Sequence, residues 1–136
     1  MRIDWKEYAL KLADVAKLRS EDPYVQVGAC ALDHDYRVLG CAYNGLAPGK
    51  NVTQEFWEDR DARRPFMIHA ETNLLSLFKR GDAKLVACTL LPCAACAQQL
   101  AAYQVKEVVY NDIYSRDTAA FDIFKFYDIK LTQIKL

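Results

Sequence analysis

His69 and Glu71 stand one residue apart, and two cysteines follow in the segment Pro92-Cys93-Ala94-Ala95-Cys96. One imidazole and two thiolates supply three protein ligands to a tetrahedral zinc ion and leave the fourth position open to water, the make-up of a catalytic rather than a structural site. Glu71 remains as a free carboxylate beside the metal, able to take up and return protons. Cys-x-x-Cys by itself also fits a redox pair or half of a structural zinc site. A structural site wants a fourth ligand, however, and the other histidine, His34, lies in Asp33-His34-Asp35, a hairpin turn by composition. A redox pair leaves Glu71 and Pro92 without a purpose.

The spacing constrains how these groups are carried. Cys93 and Cys96 are three residues apart and share a face of a helix. Pro92 suits a helix start, where its missing N–H costs nothing. Thiolates at a helix N-terminus gain from the positive end of the dipole. His69 and Glu71 lie ~200° apart on a helix, so they meet one metal only if it sits beyond the helix N-terminus. Two helix N-termini are expected to face one zinc.

The elements that must hold them follow from periodicity. Asp4 and Glu7 resemble a capping box ahead of a stripe of Trp5, Tyr8, Ala9, Leu12, Val15, Ala16 and Leu18, a helix expected to end near Arg19-Ser20. Val25 to Leu32 and Arg37 to Tyr43 read as a hairpin of strands, leaving through Tyr43-Asn44-Gly45 into a Pro/Gly loop. Asn51 to Arg64 reads as a short helix with Thr53 as N-cap and then a solvated, Arg-rich connection, with Arg63 and Arg64 candidates to face a phosphate. Phe66 to Lys79 is the expected helix carrying His69, closed by Gly81. Leu85 to Leu91 is a strand covered on both faces, Cys93 to Tyr103 the second metal helix, and Glu107 to Tyr110 a further strand. Thr118 to Tyr127 reads as a helix and Lys130 to Leu136 as a last strand. Strand–helix–strand order after residue 65 predicts parallel pairing in a central sheet with helices on both faces. Ligands then sit beyond the carboxyl ends of the strands.

The bulk numbers bound the class. A chain of 136 residues, 52% hydrophobic and with few Pro and Gly, is expected to be one folded domain over 1–136. Its 18 basic and 18 acidic residues cancel, which weighs against a stable nucleic-acid partner. Five cysteines, an odd number, argue against a disulfide framework. Cys30, Cys41 and Cys88 are expected as buried free thiols in a reducing cytoplasm. The N-terminus lacks a signal-peptide core, and no apolar run is long enough to span a membrane.

With these segments in place, the chain resembles the zinc-dependent cytidine deaminase superfamily, and within it the deoxycytidylate (dCMP) deaminases. Besides the metal motif, Arg19 to Cys30 is similar to that family's entry to strand one, Ala42-Tyr43-Asn44-Gly45 to its Gly-Tyr-Asn-Gly loop, and Val105 to Tyr114 to its fourth strand and following loop. The resemblance implies an α/β fold of three α/β/α layers with a central mixed sheet of about five strands. It implies one Zn2+ per subunit on His69, Cys93 and Cys96, with Glu71 as proton shuttle for attack of zinc-bound hydroxide on dCMP, giving dUMP and ammonia. Val27, Asn44, Ala70, Tyr114 and Arg116 would bind substrate, Asn44 at the deoxyribose and Tyr114 stacked on the pyrimidine. Arg19, Arg63, Arg64 and Arg116 are the candidates for the phosphate. It further implies activation by dCTP with Mg2+ and inhibition by dTTP through Ala42, Tyr43, Asn44, Gly45 and Arg80, in a homo-oligomer, commonly a hexamer. Ala42 departs from the family's first loop glycine, and Glu21-Asp22-Pro23 carries no cysteine for a second zinc. The rival readings are a cytidine, cytosine or tRNA adenosine deaminase, and a non-catalytic zinc or redox protein.

Overall fold

The computed structural model describes residues 1–114 and 117–136. A five-stranded mixed sheet of order β2-β1-β3-β4-β5 forms the middle layer. The strands are β1 (Gly28–Asp33), β2 (Val38–Tyr43), β3 (Ala83–Leu90), β4 (Glu107–Asp112) and β5 (Lys130–Gln133). β1 runs antiparallel to both β2 and β3, whereas β3, β4 and β5 run parallel. Helix α1 (Trp5–Ala16) covers one face. On the other lie α4 (Ala70–Leu75), α5 (Ala94–Ala102) and α6 (Ala120–Phe126), so the molecule is a three-layer α/β/α sandwich. Two short helices, α2 (Gln54–Glu58) and α3 (Arg60–Arg63), cross the loop ahead of α4.

Strand alternation sorts the core. Ala29, Ala31, Val86, Cys88, Val108 and Tyr110 point to the α4–α6 side with Leu74, Leu100 and Phe124. Cys30, Leu32, Leu85, Ala87 and Val109 point to α1 and meet Ala9, Leu10 and Ala13. Both faces of β1 and β3 are covered, which is why those stretches read as continuous apolar runs. Asp4 starts α1 by accepting the Glu7 N–H at 2.9 Å. Gly28 lets that helix lie against β1, because a Cβ there would overlap the Ala13 carbonyl oxygen.

Several expected boundaries move, each for a local reason. Val25 to Val27 are not strand: the Asp22 carboxylate takes the Tyr24 and Val25 N–H groups, and the Asn44 carboxamide takes Val25 O and Val27 N. The helix expected over Phe66 to Lys79 is only Ala70–Leu75. Phe66 closes a 3-10 turn, Leu77 N–H bonds three residues back to Leu74, and Asp82 captures the Lys79 N–H. Pro92 stands one residue ahead of the N-cap of α5 rather than inside its first turn. β5 ends at Gln133. Cys41, expected buried, is exposed: it pairs with Cys30 across the β1–β2 ladder, but on the edge strand beyond the cover that α1 gives Cys30. Among the described residues, no helix is long and apolar enough to cross a membrane.

Candidate active site

The carboxyl end of β3 runs through Leu91 and Pro92 into Cys93, the N-cap of α5. His69 is the N-cap of α4, with extended backbone at φ −69° and ψ 151°. Neither side chain caps its own helix, so both donors are free to turn to a common point. His69 Nδ1 lies 3.2 Å from Cys96 Sγ and 3.5 Å from Cys93 Sγ. The three ligand atoms are within 4.8 Å of one another. A tetrahedral zinc with bonds of about 2.0–2.3 Å holds its N and S ligands roughly 3.5–3.8 Å apart, so the donor set and spacing fit that ion.

The three donors share protons through their mutual hydrogen bonds. Hydrogen bonds from Cys96 and then His69 bring the Cys93 thiol down to about 4. The partner thiol, Cys96, is pushed up by that bond and by burial. The Cys93 hydrogen bond raises His69. Asp117 Oδ2 accepts the Ala94 N–H at 2.9 Å, occupying a donor of the α5 N-terminus that Cys93 leaves unpaired.

Glu71 sits in the first turn of α4, 4% exposed. Burial pushes its carboxyl up to about 7, only partly offset by its own backbone N–H and by His69. A carboxyl poised near neutrality can both accept and donate a proton at physiological pH.

A cleft of about 460 Å³ opens over these groups. Val27, Asn44, Ala70 and Tyr114 all line it, together with His69, Glu71 and Cys93. Arg116 lies outside the described residues. The effector candidates are differently placed. Ala42 is packed in the core, and Tyr43 is partly exposed at the end of β2. Gly45 exchanges backbone hydrogen bonds of 3.0 and 2.8 Å with Ile68, just ahead of His69. Arg80 is exposed in the turn beyond α4, at the opposite end of that helix from His69. Arg19 is exposed at the end of the 3-10 turn after α1.

The Arg-rich connection is not simply a solvated face. Arg63 is buried and makes two bonds to Asp22, at 2.9 and 3.0 Å, with its guanidinium 4.8 Å from the Tyr24 ring centroid. Arg60 and Arg64 line the cleft. Arg60 Nη2 donates to the Tyr114 hydroxyl at 3.0 Å. Asp22, Arg60 and Asp117 were not expected at the site. Arg63 and Asp22 are far apart in the chain, and no local pattern joins them.

The family model of the cytidine and deoxycytidylate deaminase zinc-binding region matches residues 3–112. The chain belongs to that family. It is 32% identical to the deoxycytidylate deaminase of Mus musculus over 136 residues, covering 90% of this chain and 75% of the mouse protein. With the Homo sapiens deoxycytidylate deaminase it shares 30% over 117 residues, 79% of this chain but only 65% of the human protein's length. Among solved structures, the dCMP deaminase of cyanophage S-TIM5, in complex with dCMP and dUMP, superposes with a TM-score of 0.82 at 25% identity. That match covers 98% of this chain and 99% of the phage protein.

Proposed function

We propose that this protein deaminates dCMP hydrolytically, giving dUMP and ammonia, and so supplies dUMP for thymidylate synthesis. The observation that carries the reading is Glu71, buried beside the His69–Cys93–Cys96 cluster at the base of a cleft that also contains Arg60 and Arg64. The named relatives and the phage complex support dCMP as the substrate.

His69 Nδ1 and the sulfurs of Cys93 and Cys96 would hold the zinc. When bound, zinc supplies a water acidified enough to act as a nucleophile near pH 7. Glu71 takes a proton from that water and delivers it to N3 of the pyrimidine, which makes C4 more electrophilic. As the water oxygen bonds to C4, Glu71 takes the second proton from that oxygen and passes it to the 4-amino group, and the C4–N bond breaks to release ammonia and leave the C4 carbonyl. Tyr114 offers a ring for stacking, Asn44 faces the deoxyribose, and Val27 and Ala70 close the walls. Asp22 neutralises Arg63, which among the described residues leaves Arg60 and Arg64 as cleft cations for the phosphate dianion.

Regulation by dCTP, with Mg2+, and by dTTP rests on the 42–45 segment, the end of β2 and the loop that leaves it. Its hydrogen bonds to Ile68, and the Asn73 Nδ2 bond to Tyr43 O at 2.9 Å, tie that segment directly to the start and body of α4. An effector that moved the segment would therefore move His69. A homo-oligomer, a hexamer by family resemblance, is the expected assembly. The free thiols support a reducing cytoplasm.

The test is ammonia release from dCMP, deoxycytidine and cytosine by zinc-loaded protein, with and without dCTP or dTTP. Turnover of dCMP above the other two, rising with dCTP and falling with dTTP, is expected. Preferential turnover of deoxycytidine or cytosine would overturn the substrate assignment.

A further inference from the structure

Asn44 is almost fully engaged by the protein. Its Oδ1 accepts the Val27 N–H at 2.8 Å. Its Nδ2 donates to Val25 O at 2.9 Å and to Asp22 Oδ2 at 3.4 Å. Rotating the amide by 180° would set its NH2 against an N–H and its oxygen against a carbonyl and a carboxylate. The orientation is therefore forced, and both amide hydrogens are taken. What remains on this cleft-lining side chain is one lone pair of Oδ1. Asn44 can accept a hydrogen bond from a ligand and cannot give one.

Asp22 backs that orientation by accepting from Asn44 and by holding the Tyr24 and Val25 N–H groups, and with them the segment that carries the Val25 carbonyl. Its carboxylate receives Arg63 through two bonds, Asn44, and the N–H groups of Tyr24 and Val25. Arg63 arrives from α3, anchored between the Tyr24 and Trp57 rings. The pair is buried, with side chains 5% and 7% exposed, and lines the cleft together with Asn44. An ion pair in this position locks a geometry; as a source of stability alone it is a poor choice.

We infer that Asp22 and Arg63 are positioning residues that fix Asn44 as an acceptor for a ligand hydroxyl. This rests on the dCMP reading, because the one free hydroxyl of a deoxyribose 5′-phosphate is at C3′. The lock selects substrates that carry that hydroxyl and does not itself bind the anion, for which Arg60 and Arg64 are available among the described residues.

The experiment compares kcat/KM for dCMP with that for 2′,3′-dideoxycytidine 5′-monophosphate, using zinc-loaded wild-type protein and the variants Asp22→Asn, Arg63→Lys and Asn44→Ala. Wild type is expected to favour dCMP by roughly 10-fold, the scale of one hydrogen bond. Asp22→Asn and Asn44→Ala should bring that ratio close to one, mainly through KM for dCMP. Arg63→Lys keeps the charge but not the paired bonds and should give an intermediate ratio. A ratio unchanged in Asp22→Asn, with both substrates slowed alike, overturns the inference and leaves the deaminase reading standing. So does a wild-type ratio near one. If Asp22→Asn does not fold, an unchanged ratio in Arg63→Lys has the same force. Absence of dCMP turnover by wild type is a separate outcome, which removes the substrate reading and the inference with it.

Discussion

His69 and Cys93 occupy the same position in two different helices: each is an N-cap residue, and Nδ1 of one stands 3.5 Å from Sγ of the other. An N-cap side chain normally turns back to its own helix. Here both turn outward, so two helix N-termini face one point and favour the thiolate that a metal ligand must be. The Glu71 carboxyl sits in the same helix start, but burial outweighs the field and keeps it near neutrality.

That burial carries a stability cost with a definite sign. The Glu71 carboxyl is raised from 4.5 to about 7, so the folded chain prefers the protonated form. Its contribution is fully present below the unfolded value and is lost as pH rises through the folded one. The penalty grows by about 1.4 kcal/mol per pH unit across that window. Chelator-treated Glu71→Gln should therefore melt above chelator-treated wild type at pH 8 and match it at pH 4.5. Thermal unfolding at the two pH values checks this; an offset independent of pH contradicts it.

Asp117 shows the opposite sign. The Ala94 N–H and then the Ala119 N–H hold its carboxyl below the usual carboxylate range. The stabilisation is present above the unfolded value and lost as pH falls through the folded one. Asp117→Ala should lower the melting temperature at pH 7 and weaken zinc retention by Cys93. The difference in melting temperature should narrow below pH 3.8. A competitive chelator titration with calorimetry at both pH values measures the two effects.

Much of this arrangement was legible beforehand, because its parts are local. Cys93 and Cys96 are one helical turn apart, and the continuous apolar run from Leu85 to Leu91 announces a strand covered on both faces. Side-chain capture of backbone was not legible. Asp22 and Asn44 take the polar groups of 25–27 that the β-branched residues there would have given to a strand. Arg63 looked solvated because its charge is visible in the sequence and its partner, Asp22, is joined to it only by the fold. Cys41 looked buried because an apolar strand does not reveal that it will be the edge.

Arg60 bonds the Tyr114 hydroxyl and lines the cleft. Arg60→Ala should raise KM for dCMP about 10-fold or more, the scale of a charge-assisted bond, and leave deoxycytidine kinetics nearly unchanged. Steady-state assays on both substrates decide it. Equal losses on the two would place Arg60 in the framework rather than at the phosphate.

Gly28 marks where α1 meets the sheet. Gly28→Ala would set a methyl group against the Ala13 carbonyl and Lys17 N. Overpacking of this kind costs about 1–3 kcal/mol, occasionally more. Urea unfolding should show a lower midpoint with the zinc content of the folded fraction unchanged. An unaltered midpoint would mean that α1 shifts freely.

The most direct test of the central claim is single-turnover ammonia release from dCMP by Glu71→Gln protein shown by metal analysis to hold as much zinc as wild type. The predicted result is full zinc occupancy with turnover reduced about 10³-fold or more, within the range of general acid–base contributions. Wild-type turnover in that metal-replete variant would contradict the role assigned to Glu71 and, with it, the reading of the site.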